Sequence, residues 1–87
     1  MATHLILADD HSVVTEWVKL MLQYNPEINC DFEARNGLQV LDYLLSNKAD
    51  LILMDLEMPE MNGIKCAEKV VELNPETKVI AFTHYAE

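Results

Sequence analysis

With 87 residues the chain holds one small domain and no more, and a hydrophobic share of 51% excludes a disordered segment. A net charge of -9, from 15 acidic against six basic residues, repels phosphate backbones and argues against nucleic-acid binding by this segment. No apolar run approaches bilayer length, and the opening Met1-Ala2-Thr3-His4 is no signal peptide, so the chain reads as soluble and cytoplasmic, with no membrane partner. The two cysteines, Cys30 and Cys66, stand far apart outside any CxxC pattern and read as small apolar fillers.

In chain order, Leu5-Ile6-Leu7-Ala8 is a brief continuous apolar run ended by Asp9-Asp10. Val14, Trp17, Val18 and Met21 follow at the spacing of one helix face, with Ser12 as its expected N-cap and Asn25-Pro26 as its stop. Ile28, Cys30, Phe32 and Ala34 alternate with polar residues, which predicts an edge strand with one wet face. Asn36-Gly37 breaks it, and Leu38, Leu41 and Leu45 mark a second helix face. Leu51-Ile52-Leu53-Met54 is another continuous apolar run, again ending in a carboxylate, Asp55. A loop over 57–63 leads to a third helix with Ile64, Ala67 and Val71 on its expected inner face. Asn74-Pro75 closes that helix, and Val79-Ile80-Ala81-Phe82 is a last strand ending at Thr83. The order βαβαβαβ predicts an α/β fold with a parallel sheet, its two continuous runs central and its alternating strand at an edge.

In open parallel sheets, ligand sites form at the carboxyl ends of strands. Asp9 and Asp10 follow the first strand, Asp55 ends the third, and Thr83 ends the fourth. Taken singly, Asp9 or Asp10 is more economically a helix cap or turn residue. No cap or turn requirement explains the whole set. If the first and third strands adjoin, three carboxylates converge, and a hard cation relieves their repulsion; oxygen-only ligation suits Mg²⁺. A carboxylate so placed can act as nucleophile towards a phosphoryl group, and Asp55 is the candidate. Thr83 is as readily a β-branched strand residue as a phosphoryl-binding hydroxyl.

The segments Leu5-Ile6-Leu7-Ala8-Asp9-Asp10-His11, Glu33-Ala34-Arg35-Asn36-Gly37, Leu53 to Gly63 with its Asp-x-x-Met-Pro-x-Met-x-Gly pattern, and Val79-Ile80-Ala81-Phe82-Thr83 resemble the receiver domain of bacterial response regulators. The resemblance spans essentially the whole chain. It implies a flavodoxin-like three-layer sandwich with strand order 2-1-3-4 for the strands present. It implies that Asp55 accepts a phosphoryl group from a sensor histidine kinase or phosphotransfer protein. Asp9, Asp10, Asp55 and the backbone carbonyl of Glu57 are then the Mg²⁺ ligands, and Thr83 the switch hydroxyl. Met58-Pro59 and Gly63 shape the adjoining loop, where Gly63 is expected to supply backbone freedom. The Glu57 and His84 side chains are expected to affect phosphoryl lifetime, while His4 and His11 have no role that the sequence resolves. The chain is thus expected to be a regulatory phosphoacceptor rather than an enzyme, switching an output that resembles transcriptional control.

Two departures bear on these expectations. The family has five β/α units, and the match runs out after the fourth strand, so residues 1–87 are expected to form an incomplete receiver without the last helix-strand-helix and its lysine. Its fourth strand then offers a bare apolar edge, from which self-association is expected. Two alternatives compete: a phosphorylation-independent docking module with the same fold, and a haloacid-dehalogenase-type phosphatase, whose two-acid motif Asp55-Leu56-Glu57 loosely echoes.

Overall fold

The computed structural model describes residues 2–58 and 61–82. Four strands, β1 (Thr3–Ala8), β2 (Ile28–Ala34), β3 (Leu51–Asp55) and β4 (Lys78–Phe82), alternate with three helices, α1 (Ser12–Leu22), α2 (Gly37–Leu44) and α3 (Gly63–Leu73). The strands form one parallel sheet in the order β2-β1-β3-β4. This is the flavodoxin-like arrangement, and the two continuous apolar runs are its central strands. β2 alternates between half-buried and exposed residues, as an edge strand should. Its pairing with β1 slips between Leu5 and Ile6, and the Asp31 carboxylate at that irregularity lies 2.7 Å from the His4 ring.

Strand alternation divides the core. Ile6, Ala8, Ile52 and Met54 point to one face, where Val40 and Leu44 of α2 and Cys66 and Val70 of α3 cover them. Leu5 and Leu7 point to the other face, the side of α1, and are equally buried. Phe32 stacks on Tyr43 with centroids 4.4 Å apart, closing the β2 end of the larger core. Cys66, with no exposure at all, has its thiol pushed up to about 11 by burial, as befits an apolar filler.

Local signals set the helix boundaries. Asn36 and Asn62 are N-caps in extended conformation whose side chains accept from Gln39 N and Lys65 N, both at 2.9 Å. Each such cap contributes about 1 kcal/mol. Pro75 and Pro26 disfavour helical backbone in Asn74 and Asn25, which ends the preceding helices. The N-cap of α1 is His11 rather than Ser12, with no side-chain capping bond, because the turn after β1 closes one residue earlier through Asp9.

The helix faces differ from their expected stripes. Trp17 (61% exposed), Leu45 (81%), Ile64 (58%) and Val71 (60%) lie outward, whereas Thr15, Val40, Leu44, Cys66 and Val70 are buried. The helices carry apolar residues over an arc wider than the sheet covers, so packing on the sheet decides which flank is buried.

Candidate functional site

Ala8 pairs with Met54 in the β1–β3 ladder, so the next residues of the two strands, Asp9 and Asp55, emerge side by side at the carboxyl edge. Their residual exposures are 2% and 0%. Both carboxylates are set by the same device. Asp9 Oδ1 accepts from His11 N at 2.8 Å, and Asp55 Oδ1 accepts from Glu57 N at 2.9 Å, each an Asx turn two residues long. Asp9 N in turn donates to Ala34 O at 2.9 Å, extending the ladder past the strand end.

Asp10 is half-buried and joins the pair from the same turn. Between the three acids sits the imidazole of His11. Its Nδ1 lies 2.8 Å from Asp10 Oδ1, 3.3 Å from Asp9 Oδ1 and 3.8 Å from Asp55 Oδ2. One ligand atom from each of Asp9, Asp10, His11 and Asp55 falls within 4.8 Å of all the others. The structure thus brings together the three predicted carboxylates and adds a histidine that sequence reasoning left without a role. Its position directly after the acid pair was the available signal.

Burial pushes the Asp9 carboxyl above the usual range; the His11 backbone N–H opposes this, and the neighbouring Asp55 carboxylate adds to it. Asp9 Oδ2 is buried with no hydrogen-bond partner. A buried carboxylate oxygen with no donor, beside other carboxylates, is what a site for a hard dication provides, so the donor set fits Mg²⁺. Arg35 bounds the crevice on the β2 side, its Nη1 donating to Asp10 O at 3.3 Å and its backbone N to Gln39 Oε1 at 2.7 Å.

The loop after Asp55 is clamped from two sides. A Cβ on Gly63 would stand 2.3 Å from Asp55 O and 2.7 Å from Leu56 Cα. Gly63 N donates to Leu56 O at 3.2 Å. Close approach, rather than the backbone freedom expected, is therefore what glycine satisfies here. Met58 is buried in the core and anchors the same loop, while the Glu57 side chain is exposed. Thr83 and His84, the predicted switch hydroxyl and its neighbour, lie outside the described residues, as does Pro59.

Residues 5–87 match the response regulator receiver domain family. The chain belongs to that family. It is 37% identical over 83 residues to the uncharacterized transcriptional regulatory protein YhcZ of Bacillus subtilis, covering 95% of this chain and 39% of that protein. It is 35% identical over 79 residues to the nitrate/nitrite response regulator protein NarL of Escherichia coli, covering 91% and 37% respectively. The chain thus spans less than half the length of these curated relatives. Among solved structures, it superimposes on RcsB from Salmonella enterica serovar Typhimurium bound to promoter rprA in the presence of phosphomimetic BeF3-, with a TM-score of 0.90 at 22% identity, over 100% of this chain and 50% of that one. The non-phosphorylated receiver domain of RcsB from Escherichia coli gives 0.88 at 22% identity, over 100% and 69%. These two likenesses establish the fold. Family membership assigns the chain to the receiver side of two-component phosphorelays and removes support for the dehalogenase-type reading. Among the described residues, no helix is long and apolar enough to cross a membrane.

Proposed function

We propose that Asp55 accepts a phosphoryl group from a phosphohistidine on a sensor histidine kinase or phosphotransfer protein. The observation that carries this reading is the convergence of Asp9, Asp10 and Asp55 at adjoining strand ends, in a chain whose family is the receiver family. Asp9, Asp10, Asp55 and the Glu57 carbonyl would hold Mg²⁺, which supplies charge neutralisation for the phosphoryl oxygens when bound.

The chain's own contributions follow from the geometry. The Glu57 N–H holds Asp55 Oδ1, which leaves the buried Oδ2, 3.8 Å from His11 Nδ1, as the oxygen to meet an incoming phosphorus. As the new O–P bond forms at Asp55, the P–N bond to the donor imidazole breaks, and that imidazole leaves neutral after protonation from solvent. Gly63 and Met58 fix the loop that carries this hydrogen bond, which keeps the acceptor oriented without a rearrangement during transfer. Thr83 is proposed as the hydroxyl that bonds the phosphoryl group and relays its arrival, and Glu57 and His84 as residues that affect its lifetime. The output it serves is proposed to be transcriptional, as the names of the relatives suggest, and its setting cytoplasmic.

Incubation with acetyl phosphate and Mg²⁺ tests the reading by phosphate-affinity electrophoresis. The unsubstituted chain should shift, and the shift should vanish in D55N and with EDTA. An equal shift in D55N would refute the assignment, as would a chain that stays unmodified with both acetyl phosphate and a phosphorylated histidine kinase.

A further inference from the structure

The proposed oxygen site leaves His11 unexplained. This residue is the N-cap of α1, its backbone extended and its N–H fixed on Asp9 Oδ1. The imidazole makes no capping bond and instead turns into the carboxylates. Its Nδ1 distances to three separate acids, 2.8, 3.3 and 3.8 Å, span the separations expected within one coordination sphere. With metal–ligand bonds of about 2.1 Å, neighbouring donors stand about 3 Å apart and opposite ones about 4.2 Å. One ligand atom from each of the four residues lies within 4.8 Å of all the others, close to that range. Within the cluster, Asp9 Oδ2 is fully buried without a hydrogen-bond partner, which marks a place left for a cation.

We propose that His11 Nδ1 is a ligand of the dication held here, which makes the centre a mixed nitrogen–oxygen site. The inference rests on the reading that Asp9, Asp10 and Asp55 bind a dication, and extends it to the identity of the metal. Mg²⁺ favours oxygen donors, whereas imidazole favours later first-row metals such as Co²⁺ and Ni²⁺, with Mn²⁺ accommodating both. The site therefore takes Co²⁺ or Ni²⁺ with a preference over Mg²⁺ that three carboxylates alone do not give. His11 is still partly open to solvent, with 44% of its side chain exposed, so the nitrogen joins the metal without deep burial of the ring.

The chain has three histidines, His4, His11 and His84, so the test uses the H4Q/H84Q protein, in which His11 is the sole imidazole. This also removes the His4–Asp31 pair as a second gathering point for metal. Pulsed electron paramagnetic resonance of bound Mn²⁺ should show hyperfine coupling to a directly coordinated ¹⁴N. In parallel, adding H11Q should lower the Co²⁺-to-Mg²⁺ affinity ratio roughly tenfold or more, as measured by titration calorimetry. A bound Mn²⁺ without nitrogen coupling, or a ratio unchanged by H11Q, overturns the role of His11 while leaving the oxygen site standing. The spectroscopic arm retains His11 and so does not depend on how H11Q folds. No dication binding at all would overturn both this inference and the metal reading on which it rests.

Discussion

Asp9 and Asp55 are two buried carboxylates held next to each other by backbone N–H groups, with a third carboxylate and a histidine at the mouth. In the metal-free protein this arrangement costs stability, and Asp9 shows how. Its carboxyl is raised above the ordinary 3.8 by burial first and by Asp55 after. Between 3.8 and the folded value the native state binds more protons than the unfolded chain, so this residue's contribution to stability falls as pH rises through that window. In EDTA at pH 7, D9N should therefore be more stable than the parent by on the order of 1 kcal/mol, since one of two adjoining buried charges is gone. Mg²⁺ should raise the melting temperature of the parent and barely move that of D9N. Thermal denaturation with and without Mg²⁺ reads both effects, and an equal Mg²⁺ increment in the two proteins would contradict the role given to Asp9. Gly63 is the other residue where a single atom decides. With Asp55 O 2.3 Å from any added Cβ, G63A must push the acceptor loop aside at about 1–3 kcal/mol, visible as a lowered urea midpoint and slower phosphorylation. The acids were legible in the sequence because each ends an apolar run. His11 was signalled only by its place after the acid pair, since nothing in sequence spacing tells which way an N-cap side chain turns.

At the scale of elements, order and type were legible throughout, because apolar runs, alternation and Asn-Pro or Asn-Gly breaks each report local physics. Faces were not. In α3, Ile64, Ala67 and Val71 form as good a stripe as Cys66 and Val70, and only the sheet beneath decides which flank it buries. The adjacent valines test this. V70A should cost about 2 kcal/mol, a buried truncation with little room to relax, whereas V71A should change stability by less than about 0.5 kcal/mol. Comparable losses in the two variants, measured by chemical denaturation, would show that the face is misassigned. The outward flank is not idle surface, since Ile64, Ala67 and Val71 line an apolar groove with Leu56 and Ala81.

The whole molecule presents that groove beside β4, an edge strand whose Ile80 is 52% exposed. An unpaired edge next to apolar surface is a template for pairing with another chain. The weight-average mass from light scattering should therefore rise with concentration, and I80K should suppress the rise. A mass that stays monomeric at every concentration would contradict this. Such a rise would place the self-association expected from the apolar final strand at β4 and the groove beside it. Asp55, proposed to carry the phosphoryl group, ends β3, the strand paired with β4. An acyl phosphate is reduced by borohydride to an alcohol, so trapping after exposure to acetyl phosphate and Mg²⁺, followed by peptide mass spectrometry, places the modified residue directly. The expected result is homoserine at position 55 and at no other acid, formed only with Mg²⁺. Homoserine at Asp9 or Asp10, or none anywhere after the phosphorylated kinase has been supplied, would contradict the assignment.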